Sequence, residues 1–438
     1  MSMKRFGKAA SVLLLAGLAG LTGCSRSQMN EQIAEAIGTT GMYENNEPVE
    51  TPQMKVEREM REAESEAERQ LSGDLDRAAA LASGYFYEEA VSLLESLPSE
   101  EQDDQRTQDL IAEYRGSQEA LVPWEGNVPH LCFPQLIEDG GRAFDGDERS
   151  QTYASTMLTT TEFRQILESL YEKDYVLVDI HSIAALETDG RGITTMEMQD
   201  LKLPAGKKPI VLSQDDLVYA DAKAGDGMAT RLALDENGDV KAVYTDENGH
   251  DLKGDYDLIP IVDSFVAEHP DFSFRGAKGI VSVSGKNGVF GYYLEDTVLA
   301  SAEENRDAAA GIADRLRQTG WNIACAGYTH SYMDGMTVEE LEDEIGKWEE
   351  EIEPLTGRAD ILFYPFGAEV EYPSQQLNYL TGEGLVYLCG LWGDTDFMEL
   401  GDNYLRMTRR FIDGYSLVNA PVYFNDFFDG YAVMDDNR

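Results

Sequence analysis

The sequence has few basic residues, few cysteines, and no long apolar run beyond its amino terminus. Its 438 residues include 35 Lys and Arg against 82 Asp and Glu, a formal net charge of −47. A field of this sign repels nucleic acid and anionic lipid head groups, so no nucleic-acid partner is expected. A neutral or cationic polymer is the partner that this charge favours.

The four cysteines give no support for a disulfide framework or a zinc–cysteine site. Cys132, Cys325 and Cys389 lie in apolar stretches without CxxC spacing, and Cys24 stands apart near the amino terminus. Free Cys in apolar surroundings behaves as a small buried hydrophobe. We therefore predict buried free thiols in preference to one disulfide and an unpaired cysteine.

The amino terminus, "MSMKRFGKAASVLLLAGLAGLTGC", has the layout of a secretory signal. A basic segment precedes an apolar stretch over residues 9–21, which is shorter than the ~20 residues that span a bilayer. The ending Leu21-Thr22-Gly23-Cys24 resembles the bacterial lipobox, whose cysteine is lipidated. This resemblance implies a signal peptide over 1–23 and a lipid anchor on Cys24 at the extracytoplasmic face of the cell membrane, with a plain cleaved signal as the alternative.

The two segments that follow the signal peptide differ in composition. Residues 24–52 are polar and contain proline, which is typical of a flexible tether. Residues 53–118 have helical patterns, and "GYFYEEAVSLLESL" resembles one tetratricopeptide helix. Because a single unit cannot form a repeat stack, a helical spacer is the favoured interpretation. Docking of a protein partner on residues 53–118 stays open.

From about residue 125, short apolar runs alternate with amphipathic segments, which predicts an α/β fold with a parallel sheet, open or closed into a barrel. The predicted strands lie within 175–183, 208–216, 278–285, 321–328, 359–367 and 384–392. Two Asn-Gly turns within 231–257 predict a β-hairpin insertion. In such folds the chemistry lies at the carboxyl ends of the strands.

Polar side chains that could bind a metal or a proton follow two of these predicted strands. Asp215 and Asp216 follow "PIVLSQ", and His330 and Asp334 follow "WNIACAGYT". Adjacent residues leaving a strand face opposite sides, so one aspartate can bind a metal while its neighbour acts as a base. If a helix begins at His330, Asp334 lies on the same face, and both can bind one cation. Asp-Asp also begins ordinary turns, and a lone histidine is usually structural.

The order Asp-Asp, then His-Ser-x-x-Asp, then Phe-Tyr-Pro-Phe-Gly resembles the polysaccharide deacetylase family (carbohydrate esterase family 4, the NodB-homology fold). The resemblance covers about 125–430 and implies a deformed (β/α) barrel, here with the hairpin insertion and preceded by a small helical region. It implies a hydrolase that removes N-acetyl or, less often, O-acetyl groups from peptidoglycan or an exopolysaccharide.

The same resemblance implies roles for individual residues. Asp215 is expected to be the catalytic base, and the backbone amide of Tyr364 to help hold the oxyanion. Asp216, His330 and Asp334 are expected to bind a divalent metal, Zn²⁺ by preference. Candidate substrate contacts are Pro365 and Trp392, and Trp392 is equally well explained as a core aromatic residue.

Several positions depart from the family pattern. Ser213-Gln214 replaces Thr-Phe before the aspartates, Asp334 replaces a histidine, and no late Leu-x-His supplies a general acid. The alternative is therefore a catalytically degenerate carbohydrate-binding or scaffold lipoprotein of the same fold. Of the remaining polar candidates, His181 and His269 are expected to be structural. Arg409 and Arg410 could face the cleft, with pairing at the surface as the default. His130 could approach the site through the first strand, although no spacing supports this.

Overall fold

The computed structural model describes residues 51–219, 223–295, 301–392 and 396–438, and the backbone of two paired short strands, Tyr43–Glu44 and Glu47–Pro48. The signal peptide predicted over 1–23, Cys24 and most of the predicted tether lie outside the described residues. Within the described part of the chain, no helix is both long and apolar enough to cross a membrane. The chain divides into two compact units, residues 1–72 and residues 73–438.

The first unit contains the two short strands and the first part of the helix Pro52–Ser83. This part of the helix is solvent-exposed and highly charged. Pairs one turn apart, such as Arg58 and Glu62 at 2.9 Å, add a few tenths of a kcal/mol each to a helix of this kind.

A small helical region opens the second unit, with the helices Tyr87–Glu95, Ser99–Gln102 and Gln105–Glu119. The first of them buries Ala90, Val91 and Leu94, which form an apolar stripe along the helix. The segment before it packs on the barrel, where the Tyr85 hydroxyl donates to the carbonyl oxygen of Asp271 at 2.6 Å.

A ten-stranded sheet forms the centre of the second unit, and all six strands predicted from the sequence belong to it. In chain order the strands are β1 His130–Phe133, β2 Tyr175–Leu177, β3 Lys208–Gln214, β4 Gly279–Val283, β5 Trp321–Cys325, β6 Ile361–Phe363, β7 Tyr387–Gly390, β8 Met398–Leu400, β9 Leu405–Thr408 and β10 Arg410–Phe411. Their order in the sheet is β8-β9-β7-β6-β5-β4-β3-β1-β10, and β2 also pairs with β3. Every pair is parallel except β8 with β9.

The sheet curls into a deformed α/β barrel of the predicted kind. Strand β9 pairs with β7, and β10, which follows after one residue, pairs with β1 at the far end of the sheet. The connecting residue is Arg409, whose amide donates to the Gly390 carbonyl oxygen at 2.8 Å. Closure therefore places Arg409 between strands from both ends of the sheet.

Helices cover the outside of the barrel, and the sequence specifies where several of them begin. The longer helices are Thr160–Glu172, Leu258–Glu268, Ala302–Gln318, Val338–Glu351 and Gln375–Gly382, and the short ones are Gly140–Ala143, Ser150–Thr156, Glu353–Thr356 and Gly414–Asn419. Capping boxes start two of the long ones, with Thr159 and Glu162 in one and Thr337 and Glu340 in the other.

The predicted hairpin insertion is a three-stranded antiparallel sheet, Ala229–Leu234, Val240–Thr245 and Asp251–Gly254. A second, unpredicted hairpin joins Ala184–Thr188 to Thr194–Met198. Two further short pairs join Val122–Pro123 to Lys202–Leu203 and Leu136–Ile137 to Leu158–Thr159.

The cysteine prediction is confirmed, because Cys132, Cys325 and Cys389 are all free and buried. Burial raises the pKa of the Cys132 and Cys389 thiols to about 12, so both stay protonated.

Candidate active site

Buried hydrogen bonds fix the end of β3, the strand that presents the Asp-Asp pair. The Ser213 hydroxyl lies 2.8 Å from Nε2 of His130 on the neighbouring strand β1. The Gln214 side-chain amide donates to Oδ1 of Asp257 at 2.8 Å. Asp257 is the N-cap of the helix Leu258–Glu268, so this bond connects β3 to that helix. Ser213 and Gln214, which depart from the family pattern, therefore have a defined structural role.

Asp215 is held by one of its carboxylate oxygens. Oδ1 accepts a hydrogen bond from the Ser282 hydroxyl at 2.9 Å and another from the Arg409 guanidinium at 3.2 Å. The Arg409 side chain is fully buried, with its guanidinium carbon 3.9 Å from the centre of the Phe363 ring. Burial lowers the pKa of Arg409, but the Asp215 carboxylate together with the nearby Cys132 and Cys389 outweighs burial, and the pKa lies above its ordinary value.

Asp216 and His330 form the second pair of the site. Nδ1 of His330 lies 3.4 Å from Oδ2 of Asp216, while Oδ1 accepts from the backbone amide of Ser284 at 3.1 Å. Burial raises the pKa of Asp216, and the nearby His330 opposes that shift. Both residues have left-handed backbone angles, with φ of 42° and 53°, a conformation that non-glycine residues adopt chiefly at turns and functional sites.

Asp334 does not join this pair, contrary to the expectation from the sequence. It is exposed and belongs to a turn, because the acidic helix begins at Val338 rather than at His330. The spacing of four residues therefore does not place the two side chains on one helical face.

The predicted Asp-His-Asp ligand set is accordingly not assembled. Among the residues that the structure describes, no three His, Cys, Asp or Glu side chains lie close enough together to hold a metal ion. Asp216 and His330 alone offer two suitable donors, and Nε2 of His330 is buried without a hydrogen-bond partner in the described residues. Because this set is incomplete, we derive no catalytic step through a metal.

The predicted oxyanion donor is also engaged elsewhere. The backbone amide of Tyr364 donates to the carbonyl oxygen of Cys389 at 3.1 Å, as part of the β6–β7 pairing. The Tyr364 side chain is buried and its hydroxyl lies 3.0 Å from that of Tyr372. A sheet hydrogen bond therefore already uses the amide that was expected to help hold the oxyanion.

The two predicted substrate contacts do not line the cleft. Pro365 is buried. Trp392 packs 4.5 Å from Phe397, and its indole N–H donates to the Glu369 carboxylate. For Trp392 this favours the explanation as a packed aromatic residue.

The Asp-Asp pair and His330 line an open cleft of about 350 Å³. The other described residues that line it are Pro134, Gln135, Val218, Tyr219, Lys223, Phe366, Leu391 and Phe411. Phe366 stacks on Tyr332, with ring centres 4.6 Å apart, and lies 4.9 Å from the His330 ring. These two aromatic side chains are 54% and 62% exposed, so an apolar platform borders the polar pair.

The three other histidines of interest make structural contacts, which is what the sequence predicts for His181 and His269. His130 is buried against Ser213. His181 lies between two carboxylates, with Nδ1 2.6 Å from Asp179 and Nε2 3.0 Å from Asp360. Burial lowers its pKa, but the two carboxylates outweigh that effect and raise it to about 10. His269 packs against the Tyr171 ring at 4.5 Å.

Arg409 is buried beside Asp215, although surface pairing was the expectation from the sequence. The segment "LRMTRRF" carries three arginines in seven residues, a charge density that is typical of an exposed segment. Its burial depends on closure of the barrel and on the charge of Asp215, which is 194 positions away in the chain. No local pattern carries that information.

Two solved structures resemble parts of the chain. The Streptococcus pyogenes deacetylase PplD, in complex with acetate, is 11% identical, with 68% of this chain and 98% of that chain covered and a TM-score of 0.37. A Mycobacterium smegmatis protein assigned to the polysaccharide deacetylases is 16% identical, with 32% and 41% covered and a TM-score of 0.22. No family model and no curated protein matches the sequence. A likeness at these TM-scores assigns no activity, so function must be argued from the side chains of the cleft.

Proposed function

We propose that the chain is a hydrolase that removes acetyl groups from an amino-sugar polysaccharide outside the cell membrane. The observation that carries the proposal is the position of Asp215. It lines an open cleft, one of its oxygens is fixed by Ser282 and the buried Arg409, and the Asp216–His330 pair lies beside it.

In the proposed reaction Asp215 acts as the general base. A water molecule attacks the acetyl carbonyl carbon while Asp215 accepts its proton. The carbon–nitrogen bond of the tetrahedral intermediate then breaks, Asp215 returns the proton to the leaving sugar amine, and the acetic acid product ionises to acetate. The hydrogen bonds to Oδ1 set the orientation of the carboxylate before the substrate arrives, which reduces the reorganisation needed in the transition state.

Two features support a sugar polymer as the substrate. The exposed, stacked rings of Tyr332 and Phe366 offer an apolar face next to Asp216 and His330, and the hydrophobic face of a sugar ring can stack on such a surface. The net charge of −47 disfavours strongly anionic polymers. Peptidoglycan and exopolysaccharide amino sugars fit both features better than nucleic acid does.

The extracytoplasmic location is part of the proposal and depends on the sequence motif at Cys24 alone. Lipidation there would anchor the chain and bring the catalytic unit to its substrate at the cell surface. Mass spectrometry of the amino terminus of the membrane-extracted protein tests this. A mature chain that begins at lipidated Cys24 is expected, and an unmodified cleaved chain would favour the secreted alternative.

Acetate release from N-acetylated and O-acetylated amino-sugar oligomers tests the activity. We expect the purified chain to release acetate and leave a free amine on the N-acetylated oligomer. If the oligomers bind but no acetate appears, the alternative function as a degenerate carbohydrate-binding or scaffold lipoprotein is favoured.

We further propose that Asp216 and His330 bind a divalent cation, Zn²⁺ by preference. Carboxylate and imidazole are suitable donors for such a cation. Metal analysis of purified variants tests this. Asp216→Ala and His330→Ala should each lose the metal, whereas Asp334→Ala should keep it. Loss in all three variants would show that Asp334 joins the site when the cation binds.

A further inference from the structure

The proposed deacetylation leaves one requirement without a residue. When water adds to the acetyl carbonyl, its oxygen becomes an oxyanion, and acyl-transfer sites stabilise it with positioned donors. The Tyr364 amide is committed to the sheet. Arg409 is positively charged, but it is fully buried behind Asp215 and does not line the cleft.

Lys223 is the cationic side chain that lines the cleft in the described part of the chain, together with Asp215, Asp216 and His330. Its Nζ donates to Oε1 of Gln135 at 3.3 Å. Gln135 is itself fixed, since its amide nitrogen donates to the Ala229 carbonyl oxygen at 2.8 Å. The lysine is therefore held by a glutamine that is anchored to the first strand of the hairpin insertion.

The charge environment of Lys223 differs from that of a surface lysine. The chain has 82 acidic residues. Among the described ones, none has a carboxylate oxygen within 4.0 Å of the Lys223 Nζ, the limit for an ion pair. Burial lowers the pKa of Lys223, and the charges of Asp257 and Asp216 oppose that shift. A half-buried ammonium with one neutral acceptor has hydrogen-bonding capacity left for a ligand.

We propose that the Lys223 ammonium donates a hydrogen bond to the acetyl carbonyl oxygen and stabilises the oxyanion that forms there. The proposal rests on the proposed deacetylase function. Lys223 keeps its protons throughout. The bond from the water oxygen to the carbonyl carbon forms while the carbonyl oxygen gains the charge, and that charge is released when the carbon–nitrogen bond breaks. Gln135 is a positioning residue that holds the ammonium in place.

Steady-state kinetics on an N-acetylated amino-sugar oligomer test the proposal with the full chain. Lys223→Met should lower kcat by about 100-fold, the range for loss of one oxyanion donor, with KM changed by less than about 3-fold. Lys223→Arg should retain at least a tenth of the wild-type kcat, because it keeps a cationic donor. Lys286→Met, at an exposed lysine outside the cleft lining, is the matched control and should be unaffected.

A loss in kcat without a loss in KM distinguishes oxyanion stabilisation by Lys223 from a role in folding or in substrate binding alone. Wild-type kcat in Lys223→Met overturns the proposal, and so does a loss that falls entirely on KM. Thermal unfolding should show that Lys223→Met folds as the wild type does. If it does not, Lys223→Gln and Gln135→Leu are measured in its place.

Binding of acetate, the reaction product, gives a second measurement that does not need turnover. Isothermal titration should show acetate binding to the wild-type chain and binding at least about 10-fold weaker in Lys223→Met, since a charged donor to the carboxylate is lost. Equal affinities overturn the role of Lys223. A wild-type chain that binds acetate through Lys223 but deacetylates no oligomer would instead overturn the proposed function.

Discussion

The buried pair formed by Arg409 and Asp215 yields a prediction for stability as well as for the site. Arg409→Met removes the cation but keeps a side chain of similar length inside the barrel. Asp215→Asn removes the anion and leaves Arg409 buried beside a neutral partner. Because each single change leaves one buried charge uncompensated, both should destabilise the fold, and the double change should cost less than their sum.

The expected loss of stability follows from the distance between the two charges. At the observed 3.2 Å, two unit charges in an effective dielectric of about 20 attract each other by about 5 kcal/mol. Removal of one partner of a buried pair costs about 3–5 kcal/mol. Since Asp215 borders the open cleft, water relieves part of its unpaired charge, and we expect about 3 kcal/mol for each single change. The coupling free energy should then exceed about 2 kcal/mol.

Urea unfolding of the wild type, the two single variants and the double variant at neutral pH measures this coupling. Equal slopes against urea across the four proteins would allow their unfolding free energies to be compared directly. Single effects that add to within about 0.5 kcal/mol would refute the reasoning, because independent sites behave in that way.

Three further predictions concern other parts of the chain. Calorimetry should show that Tyr332→Ala binds an amino-sugar oligomer about 5- to 10-fold more weakly, while Tyr332→Phe keeps the stacking and the affinity. Equal affinities for the wild type and both variants would contradict sugar binding by the aromatic platform. The pKa of His181 is raised from 6.5 to about 10, so its contribution to stability is full below pH 6.5 and is lost as the pH rises towards 10. His181 and its two carboxylate partners are partly exposed, so His181→Gln should lower the free energy of unfolding by about 1 kcal/mol at pH 6 and by almost nothing at pH 10. A loss of stability that does not change with pH would contradict the raised pKa of His181. Gly320 has φ of 95°, and a Cβ there would overlap the Gly276 carbonyl oxygen, so Gly320→Ala should destabilise the fold by about 2 kcal/mol or more. Gly311 lies in a helix with open space around its Cα, so Gly311→Ala should stabilise the fold by up to about 1 kcal/mol. Thermal melts of the two glycine variants check this, and equal shifts would argue against the steric explanation.

Much of the fold was predictable because buried parallel strands are apolar along their whole length and are flanked by amphipathic helices. That pattern located all six predicted strands of the barrel. The closing strands β9 and β10 were not predicted, because they are short and because they and the residue between them include three arginines, Arg406, Arg409 and Arg410. Their burial follows from pairing between opposite ends of the sheet, which local sequence does not encode.

The site was predictable in part. Asp215, Asp216 and His330 meet in one cleft because strand ends in a parallel barrel share an edge. Asp334 was misplaced because its spacing from His330 was interpreted as helical, although Thr337-x-x-Glu340 already marked a helix start further along. Lys223 gave no signal, since a lone lysine before the hairpin insertion resembles any surface residue.

The central claim is that Asp215 is the base of a deacetylase, and acetate release by Asp215→Asn tests it most directly. Asparagine keeps the shape of the side chain but cannot accept the proton of the attacking water, so we predict a loss of kcat of about 100-fold or more. Asp343→Asn, at an exposed carboxylate of the helix Val338–Glu351 outside the cleft lining, serves as the matched control and should retain activity. Acetate release by Asp215→Asn at the wild-type rate would contradict the claim.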